Sequence, residues 1–479
     1  MTASTPISSG EMLRILAPAT RRELAAVPVA SADLAAKTIA NAVAAQPAWA
    51  ARRTGERAEI LQQAAARIEE ESANWSALLA EESGKILAQA QFEIKLAAAI
   101  TRGNAERLLS MGSTPLPTET IESTADDIAW VRRAPLGVVA AILPFNFPAE
   151  LFAEKAAAAL AMGNAVIVKP PEQDPLTVMA MREAFISAGV PQNVLAILAG
   201  GRQTGAALCA DPRIAAVSLT GSTRAGIEVA SVPLLRKLHL ELGGNDAAII
   251  CHDADLDLAA GELVFGRTLM NGQACASNKR IIVHRSIAAE LVERLSILLA
   301  AMKVGDPLDS NSAIGPLISA EAAGRVASQV ARAIEQGARL VWESASSREA
   351  FFSPCILADV PRSADVAKDD EIFGPVLTCI PFDNEEEAIS IANQSSFGLS
   401  GCVFSRDWSR ALKLSERLAC GGVVVNGTGN YRPPFVPFGG VKQSGLGREG
   451  LGYTLEEMSQ PRYTVLRRIR KSSGVAGIS

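Results

Sequence analysis

Gly137-Val138-Val139-Ala140-Ala141-Ile142-Leu143-Pro144-Phe145-Asn146-Phe147-Pro148 is the stretch that decides the fold. Val138–Leu143 is apolar without alternation, the pattern of a strand buried on both faces, and the prolines that follow end it. Ala149–Met162 then reads as a helix and Ala165–Val168 as a second buried strand. Strand, helix, strand in that order is a βαβ unit, since parallel neighbours need a crossover. Apolar runs at Val194–Leu198, Ile214–Leu219 and Leu238–Leu240 extend the series. A second alternating region carries strands near Ala247–Cys251, Ile281–His284 and Val423–Val425. The expectation is an α/β chain of two domains with Glu241 near their junction.

Before Gly137 the texture is helical. Ser31 can cap a helix bearing Leu34, Ile39 and Val43, with Pro47 marking its end, and Ile60, Leu61, Ala64, Ala65 and Ile68 make a second apolar face. Asp126–Arg133 and Tyr463–Arg468 read as strands of neither sheet, and unattached strands seek a partner, here a second subunit.

Composition excludes several functions. Lys+Arg 46 against Asp+Glu 51 leaves a net charge of −5, without the basic excess of a nucleic-acid footprint. The run Arg467-Arg468-Ile469-Arg470-Lys471 reads as a solvated edge. No apolar stretch approaches the ~20 residues that cross a bilayer. The opening Met1-Thr2-Ala3-Ser4-Thr5 lacks a secretory profile. Seven scattered cysteines without a Cys-x-x-Cys pair match reduced cytoplasmic thiols, and three histidines offer no zinc cluster.

Several motifs can carry chemistry. Cys275, in Asn271-Gly272-Gln273-Ala274-Cys275, follows Glu241-Leu242-Gly243-Gly244-Asn245 by 275 − 241 = 34 residues. A thiol and a carboxylate base suit covalent chemistry on a carbonyl. Asn146, between Pro144 and Pro148, presents an aimed amide donor for an oxyanion. Gly221-Ser222-Thr223-Arg224-Ala225-Gly226 follows a strand and opens a helix, so Ser222 and backbone N–H groups can meet a diphosphate. Gly201-Arg202-Gln203-Thr204-Gly205 is a second open turn, and Lys169 with Glu172 at a strand's C-terminal end can grip ribose hydroxyls. Asp370-Glu371-Ile372-Phe373-Gly374-Pro375 adds a carboxylate and a ring. Gly445-Leu446-Gly447-Arg448-Glu449-Gly450 is formally G-x-G-x-x-G, yet no strand leads into a helix there, so it reads as a closely packed or flexible loop.

In this order these segments, with Pro437-Phe438-Gly439-Gly440, resemble the aldehyde dehydrogenase superfamily over nearly the whole chain. The resemblance implies a Rossmann-like cofactor domain over 1–116 and 136–242. It implies an α/β catalytic domain over 243–442 and a small β oligomerisation element over 117–135 and 460–479, hence a homodimer or homotetramer. It makes Cys275 the nucleophile, Glu241 the general base, Asn146 with the Cys275 N–H the oxyanion hole, and Glu449 a second proton-relay carboxylate. Lys169 and Glu172 match the adenosine-ribose positions, Ser222 the diphosphate, Glu371 the nicotinamide ribose and Phe373 the ring beside it. Leu143, Pro144, Phe145, Gly201, Gly205, Gly221 and Leu242 complete the cofactor set.

The implied reaction is oxidation of an aldehyde through a thiohemiacetal and a thioester, the latter hydrolysed with Glu241 as base. Relatives that pass the acyl group to coenzyme A usually lack that carboxylate. A coenzyme A-acylating enzyme and a non-catalytic protein of this fold are the alternatives. Glu172 favours NAD over NADP by repelling a 2′-phosphate, although NADP use remains possible where such a Glu swings aside. The loop Asn426–Phe435 resembles the branch of lactaldehyde, glycolaldehyde and non-phosphorylating glyceraldehyde-3-phosphate dehydrogenases. Arg432 there can hold an anionic group bidentately. Ala274 stands where phosphate-binding members have Arg. Phe147 and Phe435 can line an apolar pocket, so the expected substrate is a small hydroxylated or aromatic aldehyde.

Overall fold

A six-stranded sheet and a seven-stranded sheet make up the body of the protein, a computed structural model that describes residues 10–344 and 348–469. In the six-stranded sheet Val138–Ile142 lies central, between Ala165–Lys169 and Ile214–Thr220, all parallel. Leu195–Ile197 closes one edge, and Lys237–Glu241 joins the other. Every side chain of Ala165–Lys169 is buried, as a strand covered on both faces requires. Glu241 is the last residue of Lys237–Glu241, at the C-terminal end of the sheet where open α/β folds place their ligands.

The seven-stranded sheet places Ala247–Ile250 beside Arg280–His284 and Ser400–Phe404. Its strands alternate by face: Ala247 and Ile249 enter one apolar core, Ala248 and Ile250 the other. Four of its strands were not expected: Arg339–Glu343, Cys355–Ala358, Val376–Phe382 and Ser400–Phe404. An N-terminal antiparallel pair, Met12–Leu16 with Glu23–Pro28, was also missed by the all-helical reading of that region.

The Ser31-capped helix runs Ala32–Ala50, so Pro47 does not end it. Pro47 removes one hydrogen bond, but buried Trp49 donates its indole N–H to the Leu160 carbonyl at 3.0 Å and draws the last turn onto the core. The helix after Pro148 has a π-helical middle, Ala153–Ala157, a widening that recurs at functional sites. It lets the adjacent Glu154 and Lys155 both reach the 449–454 segment.

The two outlying strands, observed as Ile128–Pro135 and Ser459–Leu466, pair antiparallel with each other, and Thr114–Leu116 lies along the other side of Ile128–Pro135. This three-stranded sheet belongs to neither large sheet. The opening five residues and positions 470–471 of the basic run lie outside the described residues, as do parts of the 1–116 and 460–479 segments. No helix among the described residues is long and apolar enough to cross a membrane.

Candidate active site

The turn before Cys275 is built from backbone that few sequences tolerate. Met270, Asn271 and Gly272 take φ of 51°, 58° and 84° in succession. A Cβ on Gly272 would stand 2.2 Å from the carbonyl carbon of Gly374, so only glycine passes there. Asn271 is fully buried and fully bonded: its amide donates to the carbonyls of Gly84 at 2.9 Å and Pro316 at 2.8 Å, and its oxygen accepts the Gly315 N–H at 2.7 Å. Arg267, buried beneath, donates to the carbonyls of Val376, Gly272 and Ile372. The strained turn is held from every side.

Cys275 is partly exposed at the end of this turn and packs beside Phe438, Leu399 and Ala276. Five of the other six cysteines are buried, and burial pushes Cys251 and Cys355 up to about 12. Close packing also raises the Cys275 thiol well above its usual value, and Glu241 raises it further, while Arg432 and Lys279 pull it down. The thiol stands close enough to the Glu241 carboxylate for each to feel the other, but neither Glu241 oxygen has a partner at hydrogen-bonding geometry. Burial raises Glu241 to about 8, and the negative charge of Glu449 adds to the rise.

Asn146 lies across the thiol's turn. Its side-chain N–H₂ donates to the Gln273 carbonyl at 2.9 Å, and its oxygen accepts the Phe147 N–H at 3.1 Å. One amide hydrogen is left over. The Cys275 backbone N–H donates to no group among the described residues. The Asn146 amide is thus bonded into the turn that carries the Cys275 thiol and N–H.

Glu449 sits behind Glu241, buried, with Lys155 Nζ donating to it at 2.6 Å and the Arg432 guanidinium paired to its other oxygen. Burial alone would raise this carboxyl, but Lys155 and Arg432 draw it down to about 2. Glu154 and Glu150 complete the network. Burial raises Glu150 to about 7 and raises Glu154 as well. Arg432 stands 3.5 Å from Glu150 and 4.2 Å from the centre of the Phe438 ring. The guanidinium expected to hold a substrate anion is thus already occupied by two carboxylates of its own chain.

The expected cofactor residues gather on the six-stranded sheet. A cavity at its C-terminal end is lined by Lys169, Glu172, Gly205, Ser222 and Arg224. Glu172 lies over Gly201, where a Cβ would meet its carboxylate at 2.5 Å, so glycine there makes room for the acid. Lys169 is buried, its ammonium donating to the Pro170 carbonyl at 2.9 Å; burial lowers it. Ser222 caps helix Thr223–Ala230, accepting the Ala225 N–H at 3.3 Å. Gly221 donates to the Glu241 carbonyl at 3.0 Å, tying this turn to the catalytic side. Leu143 and Leu242 are buried, and Leu242 packs on Gly226 of that helix. Pro144 and Phe145 are half-buried, and Phe145 meets Phe373 edge-on with ring centres 6.1 Å apart. Glu371 accepts from Lys279 at 3.0 Å and from the Gly244 N–H at 3.3 Å. These residues fit a dinucleotide: a glycine-floored acid at one end, a helix N-terminus in the middle and a carboxylate with a ring at the other.

Two expectations for the substrate side fare differently. Phe147 is half-buried with Lys85 over its ring, while Phe435 is 67% exposed. An apolar residue in a loop has no periodic face to betray its direction. The sequence reading missed Lys155, Glu150, Glu154 and Lys279, and gave Phe438 no role. The first three were detectable as charges in the otherwise apolar helix Pro148–Ala161. Gly445–Leu446 pairs antiparallel with Glu241 and Leu240, so the rejected G-x-G-x-x-G is a packed segment.

Parallel sheets that carry a half-exposed thiol and a buried carboxylate, beside a cavity lined by Lys169, Glu172 and Ser222, define an α/β enzyme of carbonyl chemistry. The chain belongs to the aldehyde dehydrogenase family, whose model matches residues 6–464. A betaine aldehyde dehydrogenase of Rhizobium etli is 36% identical over 464 residues, 95% of this chain and 93% of its own. The NADP+ succinate-semialdehyde dehydrogenase of Escherichia coli K12 is 36% identical over 461 residues, 95% and 94% of the two chains. The structure of an NADP-dependent glyceraldehyde-3-phosphate dehydrogenase from Bacillus halodurans C-125, complexed with NADP, matches with TM-score 0.92 at 36% identity over 96% of each chain. The protein is an NAD(P)-dependent enzyme that oxidises aldehydes.

Proposed function

We propose that the protein converts an aldehyde to a carboxylic acid by covalent catalysis at Cys275. The observation that carries this reading is the buried Glu241 carboxylate, without a hydrogen-bond partner, beside the half-exposed Cys275 thiol. An unpartnered buried carboxylate is costly and marks a group kept free for a reaction.

The Cys275 sulfur adds to the carbonyl carbon, and its proton leaves toward Glu241. The oxygen of the resulting thiohemiacetal is held by the free Asn146 amide hydrogen and the Cys275 N–H. The bound nicotinamide supplies the acceptor for the carbonyl hydrogen and its electron pair. What remains on Cys275 is a thioester. Glu241 removes a proton from water, which attacks that thioester and releases the acid. Glu449, held as an anion by Lys155 and Arg432, stands behind Glu241, and its negative charge strengthens the hold of Glu241 on the proton.

The cofactor is assigned to the cavity over Lys169, Glu172 and Ser222, with Glu371 and Phe373 toward Cys275. NAD is preferred because the Glu172 carboxylate accepts from a ribose 2′-hydroxyl and repels a 2′-phosphate. NADP is the second reading: Arg224 lines the same cavity and has no ion-pair partner among the described residues. The 1–116 and 136–242 segments are assigned to cofactor binding and 243–442 to catalysis. The three-stranded sheet is assigned to assembly of a homodimer or homotetramer, and the chain to the cytoplasm.

The substrate is assigned as a small hydroxylated or aromatic aldehyde. The occupied Arg432 supports a neutral substrate over an anionic one. The relatives are named for three different aldehydes: betaine aldehyde, succinate semialdehyde and 3-sulfolactaldehyde. Purified protein presented with an aldehyde panel and either NAD or NADP, followed by nicotinamide reduction, tests the reading. Neutral small aldehydes should show the highest kcat/KM with NAD, and a clear lead for anionic aldehydes would overturn the substrate assignment.

A further inference from the structure

Outside the reacting groups, one buried cluster touches the site without being used by it. The turn Ser83-Gly84-Lys85 ends helix Ser72–Ser83, with Gly84 in the left-handed conformation at φ 77°. Lys85 is wholly buried, a position a lysine occupies only when its charge is matched. Its ammonium pairs with the Glu93 carboxylate, donates to the backbone carbonyl of Asn146 at 2.8 Å and lies 4.1 Å from the centre of the Phe147 ring. These contacts satisfy the ammonium on every side.

Glu93 is equally occupied. Its second oxygen accepts the N–H groups of Ala149 at 2.9 Å and Glu150 at 3.2 Å, the first turn of the helix that Pro148 opens. One ion pair therefore fixes the residue on each side of the Asn146-Phe147-Pro148 corner. The neighbouring Gly84 carbonyl accepts the Asn271 amide at 2.9 Å, within the turn that delivers Cys275. A single three-residue turn thus braces both donors that the proposed oxyanion hole requires.

We propose that Lys85, set by Glu93, is a positioning residue that holds the Asn146 amide in register with the Cys275 turn. The proposal rests on the oxyanion role given to Asn146 above. Small errors in placing such a donor are expensive in rate, because its value depends on being aimed before charge develops. Nothing in this arrangement requires Lys85 to touch aldehyde or cofactor.

The test is a mutant cycle between Lys85→Met/Glu93→Gln, which removes both charges together, and Asn146→Ala. Rapid-mixing nicotinamide reduction reads the first turnover, and cofactor Kd, aldehyde KM and the rate of Cys275 alkylation by iodoacetamide serve as controls. Asn146→Ala should slow the first turnover by ~10²–10³. The charge-removed pair should slow it by about 10- to 100-fold, with the three controls within about threefold of the parent. Combined with Asn146→Ala, it should add less than about threefold, because the donor it positions is already gone. Multiplicative losses, or an unchanged first turnover in Lys85→Met/Glu93→Gln, would overturn the proposal. Should Asn146→Ala itself leave the first turnover fast, the oxyanion reading fails, and the positioning claim with it, by a separate result. If the charge-removed pair does not fold, Lys85→Arg keeps a cation beside Glu93 but its planar fork shifts the donor to the Asn146 carbonyl. It should slow the first turnover with the same controls unmoved, and a full rate there would overturn the proposal.

Discussion

Glu241→Gln removes the proposed base while keeping its volume, and the structure sets the size of the effect. Glu241 is held at about 8 by burial first and by the Glu449 charge second. At pH 7 only about one carboxyl in ten is ionised, and at pH 9 about nine in ten, so hydrolysis should rise roughly tenfold between them. A positioned general base contributes about 10²–10⁴ in rate. The glutamine variant should therefore lose that factor in steady-state kcat at pH 9 and show no rise from pH 7. The assay is stopped-flow nicotinamide absorbance. The parent should turn over smoothly, while the variant, whose thiol has also lost its proton acceptor, should release reduced cofactor slowly to no more than about one per active site and then stall. A Glu241→Gln enzyme that turns over within a few-fold of the parent, or that keeps the tenfold rise with pH, would refute the reasoning.

Glu172→Ser removes the acid facing the expected 2′-position and leaves Arg224 in the cavity, so kcat/KM with NADP relative to NAD should rise about tenfold; an unchanged ratio in paired assays would count against the cofactor assignment. Arg432→Ala leaves buried Glu449 and Glu150 without that cation, so every aldehyde in a panel should suffer a similar loss of about tenfold or more; loss confined to acidic aldehydes would restore an anion-binding role. Gly272→Ala forces a side chain into a left-handed turn with φ 84° and 2.2 Å from the Gly374 carbonyl carbon. Urea unfolding should show a loss of about 3 kcal/mol or more, and a variant as stable as the parent would mean the turn can relax.

What the sequence made legible follows from range. Runs such as Val138–Ile142 and Ala165–Val168 announce buried strands because every residue within them is apolar. Cys275, Glu241 and Asn146 stand in short motifs whose chemistry is local, and the structure brings the three together from distant stretches. Lys155 and Glu449 are 294 residues apart, and no pattern in either neighbourhood points to the other. Lys85 escaped notice because its acceptor Asn146 is 61 residues away on a separate element. Arg432 was legible as a cation in a loop, but its engagement by Glu150 and Glu449 is a tertiary fact. The exposure of Phe435 was not legible, because aromatic character says nothing about direction in irregular backbone. The strand Ser400–Phe404 was hidden by a serine, a glycine and a cysteine that break the apolar run.

The account depends most on a carbon–sulfur bond forming at one cysteine out of seven. Glu241→Gln protein mixed with NAD and a turned-over aldehyde, quenched in acid and measured as intact mass and then as peptides, reads that bond directly. The account predicts one acyl group per chain, carried on the peptide containing Cys275 and absent from a Cys275→Ala control. An unmodified chain that has nevertheless reduced cofactor, or an acyl group on any other cysteine, would contradict it.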